Sequence, residues 1–122
     1  MFDSVISNPA IARLQAAVRF TSHRHEVIAN NNANIQTPGF KAKDLSVGKF
    51  REALTGATAD LSEAMKPVDS PDAGPAKPDG NNVDIDREMT KMSRNALMHN
   101  TMVMLLNKQY RSLETALRER IF

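Results

Sequence analysis

The chain has 122 residues, 41% of them hydrophobic and 25% charged, a length that suits one domain. The absence of cysteine excludes disulfides, thiolate metal sites and thiol nucleophiles, and the scarcity of rings (five Phe, one Tyr, no Trp, against seven Met) favours helix–helix seams over a sandwich or barrel. Sixteen basic and fourteen acidic side chains are spread along the chain without a strongly basic block, which excludes a nucleic-acid footprint and leaves solvated helix faces.

The opening segment, Met1–Ser7, is short and acidic and lacks the basic start and apolar run of a secretory signal. The expectation is a cytosolic chain, or one exported by a route without a cleaved signal. Asn8-Pro9 then reads as a helix start, with Asn as N-cap and Pro at the first helical position. Ile11, Leu14, Val18, Thr21, His25, Ile28, Asn32 and Ile35 follow at steps of three and four, a heptad-like face that turns polar in its second half.

Thr37-Pro38-Gly39 stops this helix, because proline biases Thr37 away from the α region. Pro then Gly at the centre predicts a type II turn with positive φ at Gly39. The amides of the preceding run, Asn30-Asn31-Asn32-Ala33-Asn34, are expected to satisfy main-chain groups at the helix end or to bond across an interface.

From Phe40 to Asn82 the pattern is weak. Val47, Phe50, Leu54, Leu61 and Met65 are candidate contacts, and Pro67, Pro71, Pro75 and Pro78 with Gly74 and Gly80 give the following stretch the composition of a linker, extended or disordered on its own.

The strongest signal runs from Val83 to Phe122. Ile85, Met89, Met92, Ala96, His99, Val103, Leu106, Tyr110, Leu113 and Leu117 alternate steps of four and three, with no Gly or Pro after Gly80. Asp84, Asp86 and Glu88 suit the positive end of a helix dipole, and Arg118 and Arg120 the negative end. A helix from Asp84 to Glu119 would be on the order of 50 Å long. Leu97, Met98, Met102, Met104 and Leu105 flank the main seam, so one partner helix cannot cover them all. The expectation is a helix that packs on the N-terminal helix on one side and on neighbouring subunits on another. No stretch is apolar enough over sufficient length to cross a membrane.

The fold class expected is therefore all-α, with long N- and C-terminal helices forming a coiled-coil layer, joined by a Pro-rich irregular segment and partly disordered as a monomer. The division is 1–36, helix with leader; 37–82, turn and flexible insert; 83–122, long helix.

Chemistry is scarce. His23 and His25 are two apart and point to different faces of a helix, and no Cys or carboxylate cluster joins them, so a zinc or catalytic set is not supported. His25 and His99 fall on the seams and read as polar layers that set register. There is no phosphate loop or nucleophile motif. Neither a catalytic residue, a metal ligand nor a cofactor site is assigned.

Ala29–Asp44 reads ANNNANIQTPGFKAKD. This resembles the signature that ends the N-terminal helix in the flagellar rod, hook and hook-associated axial protein family, close to N-x-A-N-x-x-T-P-G-[YF]-K. Asn31, Ala33, Asn34, Thr37, Pro38, Gly39, Phe40 and Lys41 meet it; Asn32 departs from it, standing where the family has an aliphatic residue. A second block, Asp79–Leu106, with GNNVDIDREM at its head, resembles the start of the C-terminal helix in the short proximal rod proteins of that family, which carry a small insert between their terminal helices.

The resemblance implies a structural subunit of the rod, not an enzyme. It implies passage through the flagellar type III export apparatus, with Phe2 and Ile6 in the spacing of a gate-engaging element, and assembly in the periplasmic base of the rod. The implied partners are other copies, other rod proteins and the adaptor between rod and membrane ring, with no nucleic acid and no membrane insertion. The other short proximal rod type, and a soluble helical-hairpin adaptor or export chaperone, are the alternatives. A phosphotransfer domain using His23, His25 or His99 is a third reading; it needs an exposed histidine beside a charged face.

Overall fold

A computed structural model describes residues 8–56 and 60–121. Phe2 and Ile6 lie outside the described residues. Two helices dominate: α1, Pro9–Ala33, of 25 residues, and α4, Ile85–Ile121, of 37 residues. Between them come β1 (Lys43–Asp44), α2 (Val47–Leu54), α3 (Leu61–Ala64) and β2 (Val68–Asp69).

Each helix begins where local chemistry satisfies free N–H groups. Asn8 Oδ1 accepts the Ala10 N–H at 2.9 Å, Ser46 Oγ accepts that of Lys49, and Asp60 Oδ1 accepts that of Ser62. At α4 the carboxylate of Asp84 accepts the Asp86 N–H at 3.0 Å. Helix α1 ends one turn before the proline. Asn34 donates its main-chain N–H to Asn30 and Asn31, and its side-chain amide to the Asn30 carbonyl at 2.8 Å.

α1 and α4 run antiparallel. Asn31 meets Glu88, Thr21 meets Asn95 and His99, and Gln15 meets Tyr110. The remaining elements cover one flank of this hairpin. Ala16, Ala17, Phe20 and Val27 of α1 pack with Leu45, Phe50 and Ala64, and Leu54, Leu61, Met65 and Met102 close around them. Phe20 and Phe50 stack with centroids 4.2 Å apart and planes 17° from parallel, a contact worth about 1 kcal/mol beyond its buried area. The two rings stand where a helix of small residues, Ala16 and Ala17, lets the insert approach closely.

The proline-rich stretch differs from the linker expected of its composition. β2 pairs antiparallel with β1, Lys43 opposite Asp69 and Asp44 opposite Val68. Ser70 donates its N–H to the Ala42 carbonyl at 2.9 Å, and Lys77 donates to Asn81 at 2.8 Å. Ala42, Leu45, Ala64, Asn81 and Val83 are all buried. Composition missed this because the segment is held by scattered main-chain bonds and a few small apolar residues, not by a periodic pattern.

Candidate assembly site

The two sequence motifs meet. Thr37 to Phe40 forms the expected turn, with Gly39 at φ +74° and the Phe40 N–H on the Thr37 carbonyl at 3.2 Å. This turn lies against a second one at Asp79–Asn81. Gly39 donates its N–H to the Asp79 carbonyl at 2.9 Å, and Gly80, at φ +87°, approaches so closely that an added Cβ would stand 3.3 Å from Gly39 Cα.

Asn81 locks the junction. It is fully buried, and its Nδ2 donates toward the carbonyls of Asn34, Ile35 and Thr37 at 2.9, 3.0 and 2.9 Å. Its Oδ1 accepts the Val83 N–H at 2.8 Å. One side chain thus satisfies carbonyls left free at the end of α1 while fixing the approach to α4. Asn82 Oδ1 accepts the Ala42 N–H at 2.6 Å, and Lys41 Nζ donates to the Gly80 carbonyl at 2.6 Å. Of the family-pattern residues, Asn34, Thr37, Gly39, Phe40 and Lys41 therefore take part in this junction, while Ala33 and Pro38 are exposed beside it.

Asn31 belongs to a second cluster, which the sequence reading missed. It is fully buried; its amide donates to the Lys43 carbonyl at 2.7 Å and to Glu88 Oε2 at 2.8 Å, and its Oδ1 accepts the Lys43 N–H. Glu88, read from sequence as part of an acidic helix start, is only 2% exposed and pairs with Lys91 at 2.9 Å. Arg24 grips Asp44 with two nitrogens, at 2.8 and 3.0 Å, the bidentate geometry that makes such pairs strong. Lys91 also reaches Asp72 at 3.2 Å.

The hydrogen bond to Asp44 raises the Arg24 pKa. For Lys91, burial pushes the ammonium down, but the Glu88 hydrogen bond and the charges of Asp44 and Glu88 outweigh it, and the pKa is raised. Glu88 and Lys91 stand one turn apart on α4, but Arg24, Asn31, Asp44 and Asp72 come from distant parts of the chain, so no local spacing announces the cluster as a whole.

The α1–α4 contact is polar at this end. Asn95 is buried and donates to the Thr21 carbonyl at 2.7 Å, and the Thr21 hydroxyl lies 2.8 Å from His99 Nδ1. His99 thus sits in a polar layer between the helices, while His25 is exposed. Among the described residues no group of three or more His, Cys, Asp or Glu could hold a metal ion.

The expected seams divide. On α1, Ile11 and Ile28 are buried and Leu14 and Val18 half-buried. On α4, Met92, Val103, Leu106, Leu113 and Leu117 are half-buried, whereas Ile85, Met89, Ala96 and Tyr110 are exposed. A strict heptad repeat drifts about 20° per heptad around a straight helix, so between Ile85 and Leu117 the stripe swings by about 90°. It faces α1 at the C-terminal end and leaves it at the start, where Glu88 and Asn95 face inward instead. Leu97 and Met104, 69% and 71% exposed, lie on the outer side of α4.

What remains is a helical hairpin with a locked motif junction and a long helix whose outer face carries apolar side chains. No protein-family model matches the chain. It is 30% identical to the flagellar basal body rod protein FlgB of Bacillus subtilis, over 88% of this chain and 92% of that protein. It is 31% identical to FlgB of Yersinia enterocolitica, over 86% of this chain and 90% of the relative, and 30% identical to FlgB of Salmonella typhimurium, over 86% and 95%.

The chain belongs to the FlgB family of flagellar basal body rod proteins.

Of the two short rod types, the relatives are all of the FlgB type. Membership of the family makes the chain a structural component of the flagellum, located in the basal body. Among the described residues no helix is long and apolar enough to cross a membrane. The match to the Bacillus subtilis protein covers 88% of this chain, so neither long helix, α1 of 25 residues nor α4 of 37, lies wholly outside it.

Proposed function

We propose that this chain is a subunit of the proximal rod, assembling through α1 and α4 with copies of itself and other rod proteins, and linking the rod to the membrane ring through an adaptor. The observation that carries the reading is the outer face of α4, with Leu97, Met104 and Leu105 exposed on a helix whose inner face is already occupied. Apolar area of this kind is covered in an assembly. The seam residues Ile11, Leu14, Val18, Ile28, Ile85, Met89, Met92, Ala96, Val103, Leu106, Tyr110, Leu113 and Leu117 form the assembly layer, residues 37–82 the insert, and the turn motif at Asn31–Lys41 the hinge that sets the hairpin angle.

Export through the flagellar type III apparatus, without a cleaved signal and with Phe2 and Ile6 engaging the gate, completes the reading. A chain that passes this gate unfolded is partly disordered as a monomer and gains stability by binding folded neighbours, through mass action. The chain carries out no reaction and uses no cofactor.

The deciding experiment is deletion of the gene, scored for motility and for rods in purified basal bodies. Membrane rings without rods, in cells that do not swim, are the expected result. Swimming cells with normal basal bodies would overturn the reading and leave a helical-hairpin adaptor or chaperone.

A further inference from the structure

We propose that the cleft bounded by α1, α2 and α4 receives the first turns of α4, Ile85 to Met89, from a second copy of this chain. The inference rests on the reading of the chain as a self-assembling rod subunit and names one contact within it. The cleft encloses about 300 Å³. Phe50 and Met102 form its deeper wall, and Val47 and Met98, 39% and 51% exposed, stand at its edge. Arg51 and Arg94 also line it, and among the described residues neither has a carboxylate within ion-pair distance.

Two free guanidinium groups beside an apolar wall select apolar side chains that bring a carboxylate with them. Among the described residues the chain's own surface offers few. No Asp or Glu occurs between Met89 and Leu113, so Leu97, Met104 and Leu105 bring none. Tyr110 has Glu114 one turn on, but Arg118 already holds that carboxylate at 2.7 Å. Ile85 and Met89, 43% and 50% exposed, remain. They are four residues apart on one face, and Asp86 stands beside them, exposed and in no ion pair among the described residues. In the docked arrangement Ile85 and Met89 enter the cleft and Asp86 meets Arg51 or Arg94 at its rim.

The two surfaces cannot meet within one chain. Met89 and Met98 sit on the same helix, about 14 Å apart along its axis. Pairing one surface of each copy with the other surface of the next is a heterologous contact, which leaves a free cleft at one end and a free helix start at the other, and so adds subunits without closing. Two clefts facing each other would bring like charges together.

The absence of cysteine from the chain makes the test clean. Full-length Met89→Cys and Met98→Cys proteins are purified, checked for unchanged helicity by circular dichroism, and oxidised separately and as an equal mixture. Disulfide dimers at least tenfold more abundant in the mixture than in either protein alone are expected, with Asp86→Arg reducing the yield and Asp86→Arg paired with Arg94→Asp in the other copy restoring it. Equal yields in all three samples overturn the proposal, as does cross-linking of Met98→Cys in basal bodies to another protein with none between copies. A gene deletion that removes rods, together with equal yields, would sink this contact and leave the rod reading standing.

Discussion

The side-chain amide of Asn81 donates to the main-chain carbonyl of Asn34 at 2.9 Å, joining motifs 47 positions apart. Replacing Asn81 with Ala leaves the carbonyls of Asn34, Ile35 and Thr37 short of a donor inside a buried junction. The expected loss is about 2–3 kcal/mol, read from urea denaturation. Asn81→Asp, which has no donor to offer, should lose at least as much. A loss under about 0.5 kcal/mol for Asn81→Ala would show that the junction contributes little to folding.

The two glycines of the junction should respond differently. Gly39 has positive φ but open space around it, whereas Gly80 combines positive φ with the close approach to Gly39. Gly39→Ala is expected to cost about 1 kcal/mol and Gly80→Ala about 2 or more. Equal shifts in thermal midpoint would refute the role given to the close approach.

Asn32 Oδ1 is the one buried side-chain polar atom without a hydrogen-bond partner among the described residues. Its amide makes only a contact with Met89 sulfur at 3.6 Å. Asn32→Leu removes the unsatisfied acceptor and improves helix propensity, so stability should rise by about 1 kcal/mol. A destabilised variant would mean that the oxygen has a partner in solution.

Lys91 neutralises Glu88, whose side chain is only 3% exposed. Lys91→Met should cost about 3 kcal/mol by leaving that carboxylate without its countercharge. Adding Glu88→Gln, which still accepts from Asn31, should recover most of the loss. If the double variant is no better than Lys91→Met alone, the cost comes from packing and not from charge.

The pH dependence has two limits. For Asp72, burial pushes the pKa up, but the hydrogen bonds from Ser70 and Lys91 outweigh it and the pKa is lowered from 3.8. A lowered carboxyl contributes stability above its unfolded value and loses it as pH falls through the folded value. For Lys91, raised from 10.5, the contribution is full below 10.5 and disappears as pH rises through the folded value. Denaturation midpoints should therefore be level near neutrality and fall below about pH 4 and above about pH 10. Asp72→Asn should shrink the acid-side fall, by a small amount because the carboxylate is half exposed; an unchanged acid limb would remove Asp72 from the account.

Much of the scaffold was legible in the chain. Asn8-Pro9, the Thr37-Pro38-Gly39 stop and the uninterrupted run after Gly80 place both long helices to within a few residues, because caps, proline and glycine act on the backbone next to them. Phe50, Leu54, Leu61 and Met65 were visible as contacts of the insert, and all four join the core. Phe20, Ala16 and Ala17 were not, since they lie off the heptad stripe and face the insert instead of α4. The buried roles of Asp44 and Glu88 were also hidden, because Arg24 and Asn31 are brought beside them only by the tertiary fold.

Sequence alone determined the two helices, the positive-φ turn at Gly39, the absence of thiol chemistry and the likeness of both motifs to the flagellar axial proteins. These follow from residue type and short spacing, which local sterics and hydrogen bonding convert directly into backbone shape. Only the tertiary structure decided that the turn at Gly39 docks on Gly80, that Asn81 closes the end of α1, and that the seam of α4 faces its own chain at Leu106 but solvent at Ile85. Those outcomes depend on where a straight helix has rotated its stripe and on polar partners about 50 residues away, and neither quantity is contained in any local window of the chain.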